Sequence, residues 1–158
     1  SDRIVFVNSD TLRKYYLLVQ DINDQLMAEY EVKEKDILAK QQRYEKDEAY
    51  FREQVNKGSI SEQSAQMIYQ DLMKNQQDLL ELRDRYSNEL AEKEYLMNER
   101  FVDSVYSFLE RLNRESGYDY ILGYSRGSGI LFAKDTLDIT QEVIRRMNEA
   151  YQGSNPEE

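Results

Sequence analysis

The stretch Lys57-Gly58-Ser59-Ile60-Ser61-Glu62 separates two long segments that contain neither glycine nor proline. These segments, residues 1–57 and 59–116, therefore lack the strongest local breakers of regular structure. Gly58 suits the left-handed position that follows a helix, and Ser59 with Glu62 has the spacing of a capping box for the next helix. The stretch predicts two long helices that are joined by a short tip.

Both segments carry apolar side chains at the seven-residue spacing of a left-handed coiled coil. In the first segment, which we expect to be one helix from about Ser9 or Asp10 onward, the column is Tyr16, Asn23, Tyr30, Ile37, Tyr44 and Phe51. In the second segment it is Ala65, Leu72, Leu79 and Tyr86. Folding the chain at Gly58-Ser59 places residue i opposite about residue 117 minus i, so that apolar positions meet along both arms. The pattern predicts an antiparallel α-hairpin over residues 10–116 with its tip near 57–61.

A second column of the first segment, also at seven-residue spacing, changes from apolar to charged side chains along its length. It begins with Leu12, Val19 and Leu26 and continues with Lys33, Lys40 and Asp47. Because the apolar seam narrows in this way, we predict that the distal hairpin is held more weakly and flexes. The alternative is that these charged side chains reach solvent from an ordinary coiled coil.

The two ends of the chain contain the predicted strands and a last helix. Residues 3–8 (Arg3-Ile-Val-Phe-Val-Asn8) have the composition of a buried strand, and residues 118–124 and 129–133, on either side of a Gly/Ser loop, predict a β-hairpin. The last helix is predicted from about Thr140 to Tyr151, with one apolar face made of Val143, Ile144 and Met147. The tail after Gly153 is expected to be disordered.

The terminal segments are too short to form a self-sufficient core. We therefore predict an α+β, mostly α fold in which residues 1–9 and 117–158 form a β-rich oligomerisation body, and a long coiled-coil hairpin projects from it. The number of subunits is left open by these residues.

Composition excludes several functions. The chain of 158 residues has no His and no Cys, which removes imidazole bases, thiol nucleophiles and the usual zinc ligands. We expect no enzyme activity, no cofactor and no metal. The net charge of −10 argues against nucleic acid as a partner, because phosphates attract clustered Lys and Arg.

The chain resembles the Skp/OmpH family of bacterial periplasmic chaperones. The resemblance runs from residue 4 to about 151 and rests on the glycine-marked tip and on the motifs Ile4-Val-Phe-Val-Asn8, Gly117-Tyr-Asp-Tyr-Ile-Leu122, Gly129-Ile-Leu-Phe-Ala133 and Leu137-Asp-Ile-Thr-Gln-Glu-Val143. It implies a homotrimer whose three α-hairpin tentacles enclose a cavity below a shared β-rich body. Carried over to this chain, the body would use Ile4, Val5, Phe6, Val7, Ile121, Leu122, Ile130 and Phe132.

The resemblance also implies an ATP-independent holdase that keeps unfolded outer-membrane β-barrel proteins from aggregating in the periplasm. Because the chain opens on Ser1-Asp2 without Met, we expect that a signal peptide has been removed. One property departs from the family's basic tentacles: residues 10–57 carry nine basic and eleven acidic side chains, and residues 58–116 carry seven and twelve. This acidity argues against contact with anionic membranes or lipopolysaccharide.

An unfolded β-barrel protein displays many weak apolar sites, because its strands alternate apolar and polar residues. Tyr, Met and aliphatic side chains near the tip suit such clients. The predicted client-contact residues are Tyr50, Phe51, Val55, Ile60, Met67, Ile68 and Tyr69. Their alternative role is to pack the end of the hairpin on itself. The alternative function is a structural coiled-coil adaptor or scaffold of the cell envelope that binds one folded partner.

Overall fold

A computed structural model describes residues 1–153. Its elements are strand β1 (Ile4–Asn8), helices α1 (Ser9–Tyr15), α2 (Leu17–Asn56) and α3 (Glu62–Ser116), strand β2 (Tyr120–Tyr124), a 3-10 helix (Asp135–Leu137) and helix α4 (Thr140–Gly153). Helices α2 and α3 form the predicted hairpin, and the fold is mostly helical with a small strand pair. The tail after Gly153, predicted to be disordered, lies outside the described residues.

The chain divides into two compact units. Unit 1 combines Ser1–Gln25 with the described residues from Tyr95 onward, and unit 2 is the continuous segment Leu26–Glu94. Unit 1 thus contains both strands, α1 and α4, whereas unit 2 contains the tip and the two helical arms next to it.

Strand β1 forms where its apolar sequence predicts it. It pairs in parallel with β2, with Val5 opposite Ile121 and Phe6 opposite Leu122. Val5, Phe6 and Val7 are buried, with 8%, 8% and 4% of their surface exposed. On the other side of β1, the backbone N–H of Ile139 donates to the carbonyl oxygen of Phe6 at 3.0 Å. The centre of β1 is therefore hydrogen-bonded on both edges.

The predicted β-hairpin between residues 118–124 and 129–133 is wrong. Only the first of these runs contains a strand, and that strand pairs with β1. Residues 129–133 have no regular secondary structure, and Leu131 and Phe132 are 93% and 80% exposed. β1 pairs with one edge of β2, and the chain after residue 133 continues to the free edge of β1, which it bonds through Asp138 and Ile139. The second backbone partner therefore goes to β1, and no strand pairs with the other edge of β2 within the described residues.

The predicted unbroken first helix is also wrong, because it is interrupted at Tyr16. This residue has extended backbone (φ −71°, ψ 122°) and separates α1 from α2. Its side chain is buried, its hydroxyl hydrogen-bonds to the hydroxyl of Ser104 at 2.7 Å, and its ring centroid lies 6.2 Å from that of Phe101. Tyr16 thus meets Phe101, as the predicted pairing requires, but from a break in the helix.

The tip confirms the predicted role of Gly58 and corrects the helix cap. Gly58 has a φ of +67°, and the Ser59 N–H donates to the Gln54 carbonyl at 3.0 Å, which is the Schellman arrangement at a helix end. The cap of α3 is Ser61 and not Ser59, since the Ser64 N–H donates to Ser61 Oγ at 3.1 Å. The hydroxyl of Ser61, two residues after Ser59, thus accepts a hydrogen bond from a backbone N–H of the first turn, and α3 starts at Glu62.

The register of the hairpin in unit 2 differs from the predicted one. Lys33 pairs with Glu89, and the Tyr86 hydroxyl donates to Asp36. Residue i therefore faces about residue 122 minus i, whereas the sequence predicted 117 minus i. The later start of α3 moves the midpoint of the hairpin from Gly58-Ser59 towards Ser61.

Helix α4 closes the core of unit 1. Its predicted apolar face is confirmed, because Val143, Ile144 and Met147 are at most 7% exposed. Buried Thr140, in the first turn of α4, accepts a hydrogen bond from the Asn8 N–H at 2.8 Å. This bond ties the end of β1 to the start of α4.

Candidate functional site

The seven predicted client-contact residues all lie in unit 2, around the tip and on the turns of α2 and α3 next to it. Their accessibility differs. Phe51 and Ile60 are half-buried. The exposed members are Tyr50, Val55, Met67, Ile68 and Tyr69. Packing of the hairpin therefore uses a minority of the set, and most of these apolar side chains face solvent. Their contact with clients stays a prediction.

One flank of the hairpin tip holds an apolar groove of about 870 Å³, which we call the distal groove. Leu72, which is 7% exposed, and half-buried Phe51 form its deepest part. Val55, Tyr69 and Met73 line it with 45%, 56% and 46% of their surface exposed. This volume lies within the range of about 300–1,000 Å³ that is usual for ligand pockets.

A smaller groove of about 320 Å³ lies on the other flank and is lined by Tyr50, Ile60 and Ile68. Phe51 and Leu72 line both grooves. These two side chains thus form the wall between the grooves, which explains why Phe51 is half-buried although its neighbours are exposed. Phe51 serves the packing of the hairpin and presents surface to both flanks.

Sequence reasoning missed several residues of the distal groove. The sequence predicts only a seam position for Tyr44 and only a capping role for Glu62, and it predicts no site role for Met73, Glu45 and Glu48, yet all five residues line the groove. A signal for Met73 exists, since it follows Tyr69 by four residues and so lies on the same helix face. The carboxylates carry no such signal, because they lie in the mixed-charge pattern of a solvated coiled coil.

Charged pairs replace the apolar seam at Lys33 and Lys40. Lys33 pairs with Glu29 at 3.2 Å and with Glu89 on the facing helix at 3.3 Å. Glu29 also pairs with Lys93, and Lys40 pairs with Asp36. The charges in the seam are thus matched within α2 and across to α3.

These pairs shift the pKa values of their members. Hydrogen bonds from Lys93 and then Lys33 hold the pKa of Glu29 below its ordinary value of 4.5. Lys40 and then Tyr86 lower the pKa of Asp36 from 3.8, and the same hydrogen bond to Asp36 raises the pKa of Tyr86 above 10.0. The lowered pKa values of Glu29 and Asp36 favour the ionised form of both carboxylates, which is the form that pairs with the lysines.

The residues predicted for the oligomerisation body are all in unit 1, but they do not form one surface within a single chain. Val5, Phe6 and Val7 are buried, Ile4 and Leu122 are 40% and 38% exposed, and Ile121 is half-buried. In the segment without regular structure, Ile130 is half-buried and Phe132 exposed. Their role in oligomerisation stays a prediction.

Residues 1–153 show neither a metal cluster nor a helix suited to the membrane. They contain no group of three or more His, Cys, Asp or Glu side chains that could hold a metal ion. Among their helices, none combines the length and apolar character that a membrane span requires.

Comparison with known proteins places the chain in a family. A crystal structure of a Caulobacter crescentus protein, described as a candidate outer membrane chaperone (OmpH-like), matches it with a TM-score of 0.86 at 10% sequence identity, over 98% of this chain and 89% of that one. A search of curated proteins found no match. The model of the family described as outer membrane protein (OmpH-like) matches residues 3–147. The chain therefore belongs to the OmpH-like family.

Proposed function

We propose that this protein is an ATP-independent holdase chaperone of the periplasm. It binds unfolded outer-membrane β-barrel proteins in a cavity between the hairpins of a homotrimer and prevents their aggregation. The observation that carries the proposal is the row of exposed apolar side chains around the tip of the helical hairpin. Membership of the OmpH-like family supports it, as does the fold shared with a protein described as a candidate outer membrane chaperone.

Exposed Tyr, Met and aliphatic side chains suit a client without fixed structure. Tyr50, Met67 and Tyr69 are 65%, 62% and 56% exposed, and each offers a modest apolar contact with few steric demands. Several hairpins make many such contacts at once, so that weak sites add up to useful retention. Bound strands of the client are thereby kept from pairing with each other.

The homotrimer is part of the proposal, and the exposed segment of unit 1 supports self-association. Leu131 and Phe132, at 93% and 80% exposure, are apolar side chains that water disfavours. A strand from a second copy would give residues 129–133 the backbone partner that one chain does not supply within its described residues. Sedimentation equilibrium measures the oligomeric state. A monomer at micromolar concentration would contradict the proposed cavity between the hairpins of a trimer.

The function is tested by dilution of a urea-unfolded outer-membrane β-barrel protein into buffer, with light scattering as the readout. Scattering should fall as the chaperone is added and should vanish near one trimer per client. No effect on scattering would reject the proposal. Saturable binding of a native envelope protein, with indifference to unfolded ones, would support the adaptor function instead.

A further inference from the structure

The carboxylates around the distal groove are not balanced by cations. Glu45, Glu48 and Glu62 line the groove, whereas Arg52 is the single cation among its lining residues. Arg52 donates to Glu48, so these two charges cancel. Glu45 accepts a hydrogen bond at 3.1 Å from Gln41, which is uncharged. Glu45 and Glu62 therefore have no cationic partner among the residues that line the groove. Outside the lining, Arg83 donates to Gln41 at 3.3 Å.

The groove on the other flank that is centred on Tyr44, Leu79 and Leu82 has the opposite balance. Its lining includes Lys40, Arg43 and Arg85 against the carboxylates Asp47 and Asp78. The smaller groove beside the tip on that flank, however, holds the carboxylates Asp47 and Asp71 and no cation among its lining residues. The charge balance therefore differs from groove to groove and has to be tested for each groove by itself.

We propose that the distal groove selects client segments in which apolar residues alternate with Lys or Arg. The inference rests on the proposed function and names the preferred client chemistry at this site. An apolar side chain of the client packs against Phe51, Val55 and Tyr69, and a neighbouring cation meets Glu45 or Glu62. Complementary charge at the edge of an interface favours one partner over another more than it adds affinity.

Unfolded outer-membrane proteins contain segments of this kind. Their strands alternate residues that face lipid with residues that face a polar interior, so a Lys or Arg of the interior has apolar neighbours on both sides. Each exposed charge contact is weak. The preference at one groove is therefore modest, and it multiplies when several grooves engage one client.

Three short fluorescent peptides with the same alternating leucines test the proposal, with Lys, Gln or Glu at the intervening positions. Anisotropy with the full chain at low salt should show that the Lys peptide binds roughly threefold to tenfold more tightly than the Gln peptide, with the Glu peptide weakest. The difference should shrink at about 0.5 M salt, where the Debye length is only a few ångströms. Equal affinities at low salt would overturn the proposal.

Matched variants separate the groove from the general charge of the protein. The double variant Glu45→Gln, Glu62→Gln should lose most of the preference for Lys. The control Asp47→Asn, Asp78→Asn changes the net charge equally on the other flank and should keep the preference. Equal losses in both variants would show that overall charge, and not the distal groove, attracts the peptide, and would overturn the assignment.

The apolar part of the groove has its own control. Val55→Ser with Tyr69→Ser should weaken all three peptides about tenfold or more, because two exposed apolar contacts are lost. Leu80→Ser, at an exposed residue outside the described grooves, should have little effect. If no peptide binds and the Val55→Ser, Tyr69→Ser variant changes the oligomeric state, a second copy occupies the groove and the proposal fails.

The two proposals fail in different ways. Suppressed aggregation without a preference for Lys would overturn the inference on charge and leave the holdase function standing. A preference for the Lys peptide without any suppression of aggregation would confirm the binding chemistry of the groove and reject the holdase function.

Discussion

The side-chain oxygen of Asn148 accepts a hydrogen bond from the backbone N–H of Leu17 at 2.9 Å. The side-chain amide of Asn148 also donates to the carbonyl oxygen of Tyr15 at 3.1 Å. One residue of α4 therefore bonds the chain on both sides of the break at Tyr16. The break leaves backbone groups without helical partners, and this single side chain supplies two of the missing bonds.

Replacing Asn148 should destabilise unit 1. In Asn148→Ala both bonds are lost, and we expect the free energy of unfolding to fall by about 1–3 kcal/mol. Asn148→Asp keeps the acceptor for Leu17 but sets a carboxylate oxygen against the Tyr15 carbonyl, so it should also destabilise unit 1. Urea unfolding followed by circular dichroism measures both. Gln152→Ala, an exposed change on the same helix, is the control, and equal stability of all variants would contradict this role.

Gly58→Ala should weaken the tip. The φ of +67° at this position costs a non-glycine residue about 1 kcal/mol, although space for the methyl group is available. Gly129→Ala is a fair control, because that site is equally open and its φ lies outside the left-handed region. Thermal unfolding should show a lower midpoint for the first variant alone. A matching loss in Gly129→Ala would count against the conformational explanation.

The ion pairs of Glu29 and Asp36 should lose their contribution to the stability of the fold in acid. The pKa values of Glu29 and Asp36 are lowered in the folded chain, so their stabilising effect is present above their ordinary values of 4.5 and 3.8 and is lost as the pH falls below them. We expect the thermal midpoint of the protein to fall as the pH drops from about 5 to 3. Titration of the midpoint against pH measures this.

Two variants test whether these ion pairs cause the fall of the thermal midpoint in acid. In Asp36→Asn the dependence on pH in this window should become shallower, because Lys40 and Tyr86 lose their ionised partner. Asp71→Asn removes the same charge outside the network and should leave the slope close to that of the parent protein. An unchanged slope in Asp36→Asn would show that other carboxylates cause the acid sensitivity.

Hydrogen exchange should be faster in the distal part of α2 than near its start. The buried side chains of α2 are Leu18, Val19 and Ile22, and its remaining residues are half-buried or exposed. Because few apolar contacts hold the distal turns, local opening there is easier. Exchange followed by mass spectrometry on peptides from both regions checks this expectation, and uniform protection along α2 would contradict it.

Local patterns in the sequence predicted the elements that depend on local physics. Gly58 fixed the end of α2, and the spacing of Val143, Ile144 and Met147 gave the buried face of α4. The parallel pairing of β1 with β2 and the break at Tyr16 were missed. Both depend on contacts between residues more than one hundred positions apart, such as Asn148 with Leu17, and no periodicity records such contacts.

The sequence also predicted only some of the residues of the distal groove. Exposed apolar residues such as Val55 and Tyr69 could be found by position near the tip. The carboxylates Glu45 and Glu62 could not, because they line the same groove only after the hairpin folds in a register that differs from the predicted one. That register decides which charged side chains of α2 and α3 lie beside each other on one flank of the hairpin.

The parallel pairing of β1 with β2 also sets an order of folding events. Residues 9–119 lie between the two strands, so the pair closes a very long loop and cannot form before all of α3 and β2 are available to fold. Unit 2 is one continuous segment and meets no such delay. Until β2 arrives, β1 is an apolar strand with open edges, and during this interval the chain is exposed to aggregation.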